Sequence, residues 1–153
     1  MKAFCTAVSA TVLALSMSGT VSASEKGSAA EATTLLDKAS SHFRSVGKDR
    51  ALADFTEDKA TYVDRDLYVF CFAESDGKMS AHGANKALLG RDMLKIKDAN
   101  GKVPAQEMLE VLKVSREGWV DYMWQNPESK KIEPKSALVR KIDDQICGVG
   151  IYK

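Results

Sequence analysis

Apolar residues recur three and four positions apart from Ala29 to Val46, at Ala32, Leu35, Leu36, Ala39, Phe43 and Val46. That spacing lays one apolar stripe along a helix and predicts a long amphipathic helix over this stretch, with Gly47 as its stop. Ala51, Leu52 and Phe55 predict a second, short helix over 48–55. The period then changes. Leu67 to Ala73 is rich in Val, Phe and Tyr and apolar on both faces, as in a strand covered on both sides. Asp76-Gly77 is a hairpin signal, which makes 79–82 the returning strand. Short helical turns are predicted at 87–90 and 93–96, and a tight turn at 98–101. Pro104 suits a first helical turn and opens a helix to Lys113. Three strands follow, at 119–124, 135–142 and 145–152, with a polar loop over 125–134 that carries two prolines. On the last strand Gly148 and Gly150 share one face and leave room for a helix or a ligand to come close. Helices first and five mainly antiparallel strands later make an α+β chain.

Composition adds an address. Met1-Lys2 is followed by a short apolar run to about Met17 and small residues at Val21 and Ala23. These are the parts of a secretory signal peptide over 1–23, cleaved after Ala23, and the run is short for a bilayer span. Residues 24–153 then form a single domain, periplasmic or secreted. Over the whole chain 22 basic residues face 21 acidic ones, so a nucleic acid or an anionic membrane is not the expected partner. Cys71 and Cys147 are an even pair, which an oxidising compartment can join. Both also lie in apolar strands, where free cysteine packs as a small hydrophobe, so both states stay open.

The chemistry-bearing residues fall among aromatic residues on strands. Tyr122 and Trp124 share a strand face and suit pocket walls. Tyr68 and Phe70 share a face of the first strand and suit a pocket floor. Lys135 and Arg91 are candidate partners for a carboxylate. His82 is a candidate donor whose protonation would make binding pH-dependent. Asp121 suits an amine ligand or a lysine, and Asn126 has an amide that can reach a ligand or make a turn. GxSxG, HExxH and Gly-rich phosphate motifs are all missing, which argues against an enzyme. No metal or cofactor is expected, because His42 and His82 have no cysteine or carboxylate cluster to complete a ligand set.

The ordered set of Asp66-Leu67-Tyr68-Val69-Phe70, Asp76-Gly77-Lys78, Ala81-His82, Gly118-Trp119-Val120-Asp121-Tyr122, Asn126-Pro127, Lys135-Ser136 and Gly148-Val149-Gly150-Ile151-Tyr152 resembles the extracytoplasmic Cache sensor domains, in their single form of the second type. The resemblance runs from about Leu35 to Tyr152. It implies a PAS-like five-stranded sheet with a long N-terminal helix on one face and a small-ligand pocket on the other. It further implies an organic-acid ligand, or else an amine or amino acid, a membrane signalling partner, and the option of a homodimer through the first helix. Gly83 stands where the family tends to carry proline. The expected function is therefore a periplasmic sensor domain for a small carboxylate. The alternative is a non-enzymatic scaffold that docks a partner and has a collapsed pocket.

Overall fold

A computed structural model describes residues 25–153, so the expected signal peptide lies outside the described residues. Helix α1 spans Ala29–Val46 and begins with a capping box: the Ser28 side chain accepts from the Glu31 N–H while Glu31 accepts from the Ser28 N–H. It ends at Gly47, whose φ of 84° favours a residue without a Cβ. Helix α2, Lys48–Glu57, and the single turn α3, Lys59–Tyr62, follow.

The sheet contains β1 (Val63–Asp64), β2 (Leu67–Ala73), β3 (Met79–His82), β4 (Glu117–Gln125), β5 (Ile132–Ile142) and β6 (Gln145–Tyr152). Its order is β1-β2-β6-β5-β4, with β3 also paired to β2, and every pairing is antiparallel. The sixth strand beyond the five expected is the two-residue β1. The loop expected over 125–134 is shorter, because β5 already starts at Ile132. Pro134 does not interrupt that strand. Pro134 pairs with Met123 of β4, but its carbonyl accepts from the Lys153 N–H, so its nitrogen faces the β6 side, just past that strand's last residue Tyr152, and the missing N–H costs no bond to β4.

Alternation along the strands sorts the core into two layers. Leu67, Val69 and Cys71 of β2, with Cys147 and Val149 of β6, pack against Ala32, Leu36, Ala39 and Phe43 of α1. The apolar stripe of α1 is thus used against the sheet. The opposite face carries Tyr68, Phe70, Phe72, Val139, Ile146 and Tyr152, and is covered by helix α4, Pro104–Val114. Trp119 lies on the α1 face but on edge strand β4, where α1 does not reach, and it stays 41 % exposed. Among the described residues no helix is long and apolar enough to cross a membrane.

Cys71 and Cys147 sit directly opposite each other in the β2–β6 register, with Cα atoms 4.1 Å apart, and form a disulfide. The bond closes a sequence separation of 76 residues at the centre of the sheet. Replacing both by alanine (Cys71→Ala, Cys147→Ala) is expected to lower stability by about 4 kcal/mol, read by urea unfolding of the oxidised chain against the variant.

Candidate functional site

A narrow cavity of about 30 Å³ lies on the sheet face opposite α1. Tyr68, Phe70 and Phe72 form one wall, being alternate residues of β2. Met79 and His82 of β3 both line it although they are three residues apart. A register shift opposite Cys71 and Phe72 makes this possible, since an extra residue in one strand re-aims the side chains beyond it. Tyr122 and Trp124 of β4 form the facing wall, with their rings edge-on at 5.8 Å. Met108 and Ala105 of α4, with Met93 of the turn Met93–Lys95, close the roof. Tyr68, His82 and Trp124 also line an outer space of about 110 Å³, whose other walls are Ala84, Asn85, Gln125, Pro127 and Lys130. The cavity therefore has an apolar interior and a polar mouth.

His82 is buried and neutral. Its Nδ1 accepts from the N–H groups of Ala84 (3.2 Å) and Asn85 (2.9 Å), so the ring proton sits on Nε2. Nε2 has no protein partner among the described residues, so it is a donor for whatever enters. Burial, followed by the positive charges of Lys135 and Lys59, holds the imidazole pKa down at about 3.

Behind the Tyr68 wall lies Lys135, only 1 % exposed. Its Nζ donates to the Tyr68 hydroxyl at 2.7 Å. Tyr152 donates to the Gln125 carbonyl at 2.7 Å, so the 3.2 Å contact between the two hydroxyls is Tyr68 donating to Tyr152. A chain of donors thus runs from Lys135 through two phenols to the mouth at Gln125. Nζ also lies 3.9 Å from the Tyr68 ring centroid and 4.9 Å from that of Tyr152, where ring faces favour a cation. Burial pushes the lysine well below its usual range, and the Asp66 carboxylate opposes that shift. Burial likewise raises the phenols of Tyr68 and Tyr122. Asp66 is itself 2 % exposed. Its Oδ1 accepts from the Gly27 N–H at 2.8 Å, while Oδ2 has no partner among the described residues.

Glycines make this burial possible. A Cβ on Gly150 would sit 2.2 Å from Lys135 Cε, and one on Gly148 would sit 2.7 Å from Phe70 Cζ. The room that these glycines leave is filled by neighbouring side chains, where the sequence had suggested a helix or a ligand.

Of the residues singled out from sequence, Tyr68, Phe70, His82, Tyr122 and Trp124 meet around one cavity. Lys135 stands one layer behind them. Three others lie elsewhere. Arg91 is exposed in the turn between two short helices, and only its backbone is engaged, accepting from Met79 and donating to Leu88. Asp121 has the opposite parity to Tyr122 and pairs with Lys153 at 2.8 Å. Asn126 is buried but caps its own loop, accepting from Glu128 and donating to Glu133. Sequence reasoning missed Phe72, Met79, Met93, Met108 and Ala105. For Phe72 the signal was present, since it shares parity with Tyr68 and Phe70. The others depend on how α4 and the turns fold over the sheet.

A family model described as a Cache domain matches residues 39–153. The chain belongs to the Cache domain family. Solved structures agree in fold. A methyl-accepting chemotaxis protein from Vibrio parahaemolyticus RIMD 2210633 superposes with a TM-score of 0.69 at 19 % identity, over 80 % of this chain and 86 % of that one. The periplasmic sensor domain of a chemotaxis protein gives 0.62 at 26 % identity, over 78 % and 86 %. A Cache chemosensory domain, described for its recognition of carboxylic acid, gives 0.62 at 23 %, over 78 % and 84 %. In this chain the long helix and the cavity take opposite faces of one antiparallel sheet.

Two measurements check this geometry. The folded pKa of His82 lies below its ordinary 6.5, so on acidification the unfolded chain takes up that proton first. The stability due to His82 is complete above about pH 6.5 and drains away toward about pH 3, by about 5 kcal/mol in all. His82→Asn, whose carbonyl accepts the same two amides, should flatten that slope in denaturant titrations across the range. Separately, Gly150→Ala should cost about 1–3 kcal/mol by crowding Lys135. In a Lys135→Ala background the penalty should fall to about 0.5 kcal/mol, as a double-mutant cycle would read.

Proposed function

We propose that this chain is an extracytoplasmic sensor domain that binds a small carboxylate metabolite reversibly, leaves it unchanged, and reports the bound state to a membrane signalling partner. One observation carries the reading: His82, whose Nε2–H has no protein partner among the described residues, lines both an aromatic-walled cavity and its polar mouth. The mouth is also lined by Asn85, Gln125 and Lys130, the last two of which donate to the Lys130 and Pro127 carbonyls respectively and keep further N–H donors. A related Cache chemosensory domain is described as recognising carboxylic acid, which supports the same ligand chemistry.

The route outward runs along β2. Tyr68 touches the cavity, while its neighbours Asp66 and Leu67 hold the start of α1: Asp66 accepts from the Gly27 N–H, and Leu67 lies where a Gly27 Cβ would be. A ligand that presses on the Tyr68 wall therefore acts on β2 within two residues of the first helix's anchor. It biases that anchor only by the difference in its affinity for the two positions.

Thermal unfolding of the chain with a panel of short acids, amines and amino acids tests the reading. An acid at one hundred times its Kd should stabilise by about 2.7 kcal/mol. Trp124→Ala removes one wall of both cavity and mouth, and should weaken that acid tenfold or more in calorimetry. If no panel member shifts a folded chain, the reading fails, and a partner-docking role for the same fold takes its place.

A further inference from the structure

As it stands, the cavity is too small for a metabolite. A single water needs about 10–15 Å³ of free space, so about 30 Å³ admits two waters and no organic acid. Larger spaces lie just outside it. One is the mouth, of about 110 Å³. The other is a surface groove of about 230 Å³, walled by Asn85, Leu88, Asp98, Ala99 and Ile132 and by the end of β4. Among the described residues, Trp124 alone lines all three spaces. It is also the one half-buried residue in the cavity wall, where every other lining residue is buried.

The backbone around the indole is held in place. Asp98 accepts from the Met123 N–H at 3.0 Å and from the Asn100 and Lys102 N–H groups, both at 2.9 Å, which staples the 98–102 turn to β4. His82 holds Ala84 and Asn85 in the same manner. The indole itself is less constrained. Strand β4 ends the sheet order, so no further strand crowds it, and side chains on strands take either of two common χ1 settings. The groove offers the ring a second seat. Ile132 stands 55 % exposed there, beside half-buried Leu88 and Met123. A ring laid across them covers apolar surface that water now touches.

We infer that the Trp124 indole is a gate. Closed, it separates the cavity from the groove and narrows the passage to the mouth. Swung toward Ile132 and Leu88, it joins the three spaces into one chamber of metabolite size. This rests on the ligand-binding reading above and says how the ligand gets in. The closed ring also weakens binding, because a ligand that fits only the open form has its Kd raised by the reciprocal of the open fraction. An open fraction of about 1 % makes that factor about a hundred.

Fluorine NMR tests the gate without any ligand. The chain has two tryptophans, and Trp119 has the opposite strand parity, so Trp119→Phe leaves Trp124 as sole reporter without touching the cavity. Labelled with 5-fluorotryptophan, that chain should show relaxation dispersion from exchange with a second state populated at about 0.1–10 %. Ala99→Phe fills the groove from its solvent side and should abolish the exchange. Ile132→Asp, at an exposed position, makes the second seat polar and should cut the minor population severalfold, which keeps the test open if the first variant fails to fold. A Trp124 signal without exchange overturns the gate and leaves the sensor reading standing. Exchange that persists unchanged in the groove variants also overturns it, because the ring then moves elsewhere. Exchange that vanishes with the groove filled, beside a silent ligand panel, keeps the moving indole and removes the sensor reading.

Discussion

Burying one lysine is the constraint around which the cavity face is organised. Lys135 can lie flat on the sheet only because β6 presents Gly150 beneath its stem. Its nitrogen can stay out of water only because it donates a hydrogen bond to the Tyr68 hydroxyl and ring faces surround it. An amine so placed is costly, and each neighbour reduces that cost by holding a fixed position. Tyr68 is thereby locked from behind, by the lysine and by Tyr152, and its exposed side becomes a rigid wall. The same field works on His82, where burial and the lysine's charge together keep the imidazole neutral. A neutral ring has one donor and one acceptor, and the loop amides take the acceptor. What remains is a single directed N–H.

Most of the fold was legible because it is local. The period of apolar residues marked α1 over its observed bounds, Ala29–Val46, and the two-sided apolar run marked β2 over Leu67–Ala73. The Asp-Gly turn fixed the hairpin between them and β3. The misses were equally physical. Strand β1 has only two residues, below the length at which alternation can be seen. Pro127 and Pro134 suggested one long loop, yet Pro134 is harmless because its nitrogen faces away from its β4 partner Met123, toward the chain just past the end of β6.

The site was half legible. Parity placed Tyr68 with Phe70 and Tyr122 with Trp124, and pairing across β5 and β6 then brought the two pairs together. Arg91 and Asp121 were chosen for their charge, but charge alone says nothing of direction: one sits in a surface turn and the other on the far side of its strand. Lys135 was chosen for the same reason and has a different task, supporting the wall from behind. The methionines carried no signal, because an apolar residue on a helix or turn reads as core until the covering element is placed. His82 and Met79 owe their shared orientation to one irregularity in the β2–β3 ladder, which no periodicity shows.

The disulfide at the centre of the sheet has a mechanical consequence. Cys71 and Cys147 bolt β2 to β6 at their midpoints, so the two strands cannot slide past each other. One of the bolted strands carries Tyr68 at the cavity, the other carries the glycines under Phe70 and Lys135, and both press against α1. A push from the cavity is therefore not spent in shear between neighbouring strands. It turns the pair as one stiff beam, with the long helix resting on its back.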